Sequence, residues 1–201
     1  FVRSAKDIFT LRSILKRNKS PIKIIAKIEN QEGLDNIHEI TQASDIVMVA
    51  RGDLGIETDL ADLPNIQRRI MYASAKWGRR SIVATHLLES MINNPTPTRA
   101  EVTDVANAIY EGADAVMLSG ETSVGKYPTQ CIKMLKQIAL KTEQFRTLGY
   151  EKFLQDSSDW QNIAEGARDL AKRVNADGII VITRSGETAN VISNTKPFRM
   201  P

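Results

Sequence analysis

The sequence contains one cysteine, Cys131, so no disulfide can form within the chain. That fits a reducing compartment, and the expectation is a cytoplasmic protein. No apolar run approaches the length of a membrane span. The opening residues lack the basic–apolar–small pattern of a secretory segment. Net charge is only +3, and no block of Lys and Arg alternates with aromatics. Nucleic acid is therefore not expected as a partner, and neither is a membrane. The first residue is Phe1 rather than Met, and the last stretch, "KPFRMP", has no evident closing element. The expectation is a fragment. At 201 residues, the chain has room for one domain or for one and a half.

What is present is a regular alternation. "IKIIAKI" (Ile22–Ile28), "DIVMVA" (Asp45–Ala50), "RSIVAT" (Arg80–Thr85) and "DAVMLS" (Asp114–Ser119) are short runs rich in Ile and Val. They read as buried strands. Stretches with helical spacing lie between them. Leu34, Ile37 and Ile40 form one stripe. Leu63, Ile66, Ile70 and Ala73 form another, with Pro64 near its start. Val102, Val105, Ala106 and Ile109 form a third, closed by Gly112, and Ile132, Leu135, Ile138 and Ala139 a fourth. An opening helix starts after Ser4. A helix followed by four strand–helix units predicts an α/β fold with a parallel sheet. The sheet is either doubly wound or part of a (β/α)8 barrel. In both, function sits at the carboxyl ends of the strands.

The residues at those ends are Lys27, Glu29 and Asn30; then Arg51, Gly52 and Asp53; then Thr85 and His86; then Ser119, Gly120 and Glu121. Alternation puts Lys27 and Glu29 on one side. A lysine and two carboxylates converging from neighbouring strands suit a divalent cation and a phosphoryl group. They equally suit a structural ion-pair cluster.

The tetrapeptide SGET occurs twice, at Ser119–Thr122 and at Ser185–Thr188, each time after an apolar run. A Ser-Gly step there can open a phosphate-binding turn, or be ordinary turn chemistry.

"KIIAKIENQEG", "SDIVMVARGDLGIE", "ATHLLESMINNPTPTRAEVTDVANAIYEGADAVMLSGET" and "GKYP" together resemble the pyruvate kinase family, in order and in spacing. The resemblance implies strands five to eight of the catalytic barrel over 1–144 and a linker over 145–158. The start of the family's α/β C-terminal domain follows over 159–201. It implies phosphoryl transfer from phosphoenolpyruvate to ADP, followed by protonation of the enolate to pyruvate.

By resemblance, Lys27 stabilises the phosphoryl group in flight, and Glu29 and Asp53 hold Mg²⁺ or Mn²⁺. The backbone amides of Gly52 and Asp53 hold the substrate carboxylate. Thr85 lies beside the methylene carbon, on the proton path. Arg51, His86, Ser119 and Glu121 stand behind these, with Ser119 and Glu121 linked towards Thr85. Arg51 reads as an ion-pairing scaffold residue, and Arg99 as fixing a helix start or a subunit contact. His86 departs from the family, which commonly has glutamine there. His38 reads as surface and Met91 as core.

The second SGET resembles the family's effector loop. Thr183, Ser185, Gly186 and Thr188 would hold a sugar phosphate there, although Glu187 opposes an anion. The resemblance also allows a K⁺ whose site lies outside this chain, and a homotetramer. Groups from the early barrel strands and an inserted lid domain would complete the sites for phosphate and nucleotide. The alternatives are another metal-dependent barrel enzyme acting on phosphoenolpyruvate or pyruvate, such as an aldolase, and a truncated product without catalysis. Four strands alone cannot close an eight-stranded barrel and leave apolar edges open.

Overall fold

The computed structural model describes residues 2–197. The ends of the expected domains, Phe1 and 198–201, lie outside the described residues. Helix α1 (Ala5–Arg17) opens the chain. Asp7 accepts from the backbone N–H of Ser4 at 3.0 Å, within a capping box that fixes where the helix begins. Strand β1 (Ile25–Ile28) is followed by α2 (Gln31–Asp35) and α3 (Ile37–Ala43). The sequence stripe predicts one helix here. The structure breaks it at Asn36, whose side chain instead donates to the carbonyl of Arg3 at 2.9 Å.

Next come β2 (Ile46–Ala50), α4 (Arg51–Glu57), α5 (Leu63–Lys76) and β3 (Arg80–Ala84). They are followed by α6 (Arg99–Tyr110), β4 (Ala115–Met117), α7 (Gly120–Ser123) and α8 (Pro128–Thr142). Pro64 sits in the first turn of α5, where a missing N–H costs nothing. Gly112 ends α6 with φ of 82°, in the left-handed region that glycine tolerates.

The four strands are parallel and ordered β1-β2-β3-β4. Ala26, Ile28, Val47, Val49 and Val83 point into one core with Ile40, Ile66 and Ile70 from α3 and α5. Each such Ile removed from water stabilises the fold by about 1.5–3 kcal/mol. The opposite row carries Ile25, Lys27, Ile46, Met48, Ile82 and Met117. It is more open, with Ile25 44% and Met117 37% exposed. A doubly wound sheet has both faces covered. Here the helices cover one face, which is the layering of a barrel wall.

Beyond α8, the segment expected as a linker docks onto the wall. Tyr150 and Phe153 pack their rings on Tyr72 of α5. Helices α9 (Asp159–Arg173) and α10 (Glu187–Asn194) pack on each other. Arg80 at the start of β3 donates to Asn194 Oδ1 at 3.0 Å and to the carbonyl of Asn190 at 2.7 Å. Lys196 pairs with Asp114, just before β4. This segment therefore sits at the amino ends of β3 and β4. The apolar run 178–183, which precedes the second SGET, joins no sheet among the described residues. Ile180 and Ile182 are about 95% exposed. A strand needs a neighbour for its backbone bonds, and the described residues supply none here.

Candidate active site

Lys27 and Glu29 leave β1 on the same side, and the Lys27 ammonium lies 3.0 Å from Glu29 Oε2. Asp53 comes from the first turn of α4, directly after β2, and its Oδ2 lies 3.7 Å from the same ammonium. One cationic centre thus meets two carboxylates from adjacent strand ends. The Glu29 carboxylate beside it holds the Lys27 ammonium above the usual lysine range. Burial works in the other direction, and Asp53 adds to the effect of Glu29.

The third strand end is tied to the second. The Gly52 N–H donates to Thr85 Oγ1 at 2.9 Å, and Thr85 Oγ1 donates to the Ala84 carbonyl at 2.6 Å. Thr85 and His86 have φ of 69° and 53°. Two consecutive side-chain-bearing residues in this region cost about 1–2 kcal/mol each, more so where one is β-branched. Arg51 supports them. It is buried at 7% exposure, and its Nε donates to the carbonyls of Thr85 at 3.1 Å and Ala84 at 3.3 Å. Its Nη1 lies 2.7 Å from both oxygens of Asp104 on α6. A Cβ on Gly52 would meet His86 Cε1 at 3.4 Å and Thr85 Oγ1 at 3.7 Å, so these loops already pack closely.

Glu121 is almost fully buried at the end of the fourth strand. It accepts from the backbone N–H of Leu88 at 3.1 Å and of Ser119 at 2.8 Å. It fastens the loop after β3 to the loop after β4 through backbone amides. These bonds of Ser119 and Glu121 run between backbone amides and carboxylate and stop short of the Thr85 hydroxyl. His86 is exposed, with Nε2 3.9 Å from Glu89 Oε1. His38 is exposed and accepts from Trp77 Nε1 at 3.2 Å, while Met91 is fully buried. Thr98 and Glu101 cap α6, and Arg99 is exposed beside them.

The second SGET lies with α10, on the side of the amino ends of the strands. Thr183 accepts from the Gly186 N–H at 3.1 Å and Ser185 from the Glu187 N–H at 3.4 Å. Gly186, with φ of 85°, stands before the first turn of α10, and Thr188 lies within that turn. Both hydroxyls already serve the local turn. A cleft of about 910 Å³ nearby is lined by Tyr110, Asp114, Arg146, Arg168, Lys172 and Lys196, among others. It holds none of the Lys27 cluster.

Two partners escaped the sequence reading. Asp104 carries no local signal, because only the fold brings it to Arg51. Glu101 had one. "TRAE" is a Thr-x-x-Glu capping pattern. Its carboxylate also reaches Ser90, whose N–H lies 2.7 Å away.

A sequence profile described as "Pyruvate kinase, barrel domain" matches residues 1–132. The chain belongs to the pyruvate kinase family. It is 45% identical over 197 residues to a pyruvate kinase of Methanocaldococcus jannaschii, covering 98% of this chain and 44% of that one. A pyruvate kinase of Borreliella burgdorferi is 47% identical, with 96% and 41% covered. Among solved structures, a pyruvate kinase from Cryptosporidium parvum superposes with a TM-score of 0.95 at 37% identity. All of this chain and 43% of that one are covered. One from Pyrobaculum aerophilum gives 0.91 at 36% identity, with 98% and 46% covered. The chain thus spans less than half the length of these pyruvate kinases. No helix among the described residues is long and apolar enough to cross a membrane.

The chemistry of the two carboxylates fits a divalent cation. Both lie within ion-pair range of one centre, at 3.0 and 3.7 Å, and Mg²⁺ is commonly held by one or two carboxylates with other oxygens and water. No group of three or more ligating side chains occurs among the described residues.

Proposed function

We propose that this chain is the second half of a pyruvate kinase barrel, strands five to eight over 1–144, joined through 145–158 to the start of the C-terminal domain. Its part in the reaction is phosphoryl transfer from phosphoenolpyruvate to ADP, the glycolytic step that yields pyruvate and ATP in the cytoplasm. The observation that carries this reading is the convergence of Lys27, Glu29 and Asp53 at adjacent strand ends.

Lys27 offers a fixed positive charge to a phosphoryl group in flight. Its neighbours keep it protonated, so the charge is present throughout the neutral range. Glu29 and Asp53 would hold Mg²⁺ or Mn²⁺, which supplies Lewis-acid stabilisation of the enolate and phosphoryl oxygens. The Gly52 N–H is bonded to Thr85. A substrate carboxylate that takes this donor releases the Thr85 hydroxyl, which then serves the proton path to the methylene carbon. Arg51 holds the Thr85 carbonyl while that exchange occurs. The loop Thr183–Thr188 is the corresponding candidate for a sugar phosphate. The family's homotetramer, and a K⁺ bound outside this chain, belong to the same reading.

The test is a chimera in which this chain replaces the matching segment of the M. jannaschii enzyme. It should make pyruvate and ATP. Lys27→Met should lower turnover by about 10³-fold or more while the fold is kept, as for loss of a major electrostatic stabiliser. Near-native turnover in a folded Lys27→Met chimera would sink the assignment.

A further inference from the structure

The ammonium of Lys27 stands where two carboxylates converge, 3.0 Å from Glu29 Oε2 and 3.7 Å from Asp53 Oδ2. Glu29 directly follows β1, and Asp53 belongs to the first turn of α4. Two negative charges drawn to one point repel each other unless a cation stands between them. Lys27 is that cation, so it acts as their counter-ion.

The three side chains differ in freedom. The Glu29 side chain is only 10% exposed, held against the strand end. Asp53 is short and rooted in a helical turn. The Lys27 side chain is 50% exposed, and a lysine is a compact charge on a flexible four-carbon stem. The ammonium is therefore the part of the cluster that can swing away. Arg51 cannot replace it. Its guanidinium is committed to Asp104 and to the carbonyls of Ala84 and Thr85.

Charge balance sets the consequence. Two carboxylates balance two positive charges, and one ammonium leaves one negative charge over. A divalent cation balances both. An ammonium kept beside it then has no counter-charge, and like charges at this range disfavour each other. A phosphate group, with a charge near −2 at neutral pH, supplies the missing partner, because lysine binds phosphate as a point charge.

We infer that the Lys27 ammonium is a resident counter-ion, which yields Glu29 and Asp53 to a divalent cation and passes to a phosphate dianion. Lys27 therefore opposes the divalent cation when phosphate is absent and favours it when phosphate is present. The two ligands bind as a pair, and by linkage each raises the affinity of the other by one common factor. The inference rests on the reading of Glu29 and Asp53 as the cation's ligands. It adds control of that site by the chain's own lysine.

The test reads binding, not turnover, on the full 201-residue chain, which contains every group of the exchange. Mn²⁺ affinity is measured by electron paramagnetic resonance, with and without inorganic phosphate. Coupling between two sites is typically about 5–150-fold. Phosphate should tighten Mn²⁺ binding within that range in the parent. Lys27→Met and Lys27→Gln should each bind Mn²⁺ alone at least about fivefold more tightly than the parent and lose most of the phosphate effect. In the parent, the Lys27 side-chain nitrogen resonance should shift as Mg²⁺ is added and shift again with phosphate. Folded Lys27 variants that bind Mn²⁺ no more tightly than the parent overturn the inference. So does a phosphate effect of equal size in parent and variants, or a Lys27 resonance unmoved at saturating Mg²⁺. Glu29→Gln and Asp53→Asn separate the two levels. If both weaken Mn²⁺ binding while the Lys27 variants do not strengthen it, the counter-ion role alone falls. If neither weakens it, the ligand reading falls and the inference with it.

Discussion

Both carboxylate oxygens of Asp104 lie 2.7 Å from Nη1 of Arg51, and the same guanidinium holds the Thr85 carbonyl. The pair spans the start of α4 to α6, beside the strained turn after β3. Arg51 is buried, whereas the Asp104 side chain is 37% exposed. Removing one partner of a fully buried pair costs about 3–5 kcal/mol. Water reaches Asp104, so a smaller loss of about 1–3 kcal/mol is expected for Asp104→Asn. Urea unfolding of parent and variant measures it. A difference below about 0.5 kcal/mol, the ordinary range of surface substitutions, would show that the pair supports nothing.

Glu101 gives a pH signature. Burial pushes its carboxyl upward, but bonds from Ser90 and Thr98 outweigh that and hold it below the usual glutamate range. A carboxyl with a depressed folded pKa contributes stability above its unfolded value, near 4.3 for a free glutamate. That contribution is lost as pH falls through the folded value. Glu101→Gln should therefore cost about 1 kcal/mol at neutral pH, as other helix caps do, and nothing once both forms are protonated. Unfolding curves at pH 7 and below pH 4 check this. A gap that stays constant with pH would assign the effect to shape rather than charge.

The strand ends were legible because period-2 alternation and unbroken Ile/Val runs fix both where a buried parallel strand stops and which side its last residues take. Lys27 and Glu29 follow from that rule alone. Asp53 needed one more element, the parallel pairing of β1 with β2, which the strand–helix repeat implies. Arg51 with Asp104 was not legible, since 53 residues of chain separate them and only the packing of α6 closes the gap. The break at Asn36 was hidden for a related reason. Its side chain finds the carbonyl of Arg3, a long-range partner that no local periodicity contains. The run 178–183, before the second SGET, is a different case. Its composition is that of a core strand, but a strand exists only with a neighbour, and here it lies bare.

Glu29→Gln and Asp53→Asn keep the shape of each side chain and remove one charge from the proposed cation shell. In the chimeric enzyme, each should raise the half-saturating Mg²⁺ concentration by at least the roughly 10–100-fold that loss of an outer-shell partner costs. For Asp53→Asn the melting temperature should move little, because Asp53 is well exposed. Unmoved Mg²⁺ dependence in both variants would mean that these carboxylates are not the ligands.

On its own, the 201-residue chain should show no measurable pyruvate formation. Three of its four strand ends supply Lys27, Glu29, Asp53 and Thr85, one side of a barrel mouth. The family resemblance implies further phosphate contacts from early barrel strands and a nucleotide site under a lid domain. The chain covers only 41–44% of two relatives that match it. Positioning is the main resource in phosphoryl transfer, where there is little covalent chemistry for the protein to do. Losing half the positioning groups should therefore cost nearly all the rate, whatever the state of association. The assay is purified chain with phosphoenolpyruvate, ADP, Mg²⁺ and K⁺, followed by pyruvate release. Turnover within the roughly 1–100 s⁻¹ of ordinary kinases, abolished by Lys27→Met, would show that one half of the barrel holds a complete site.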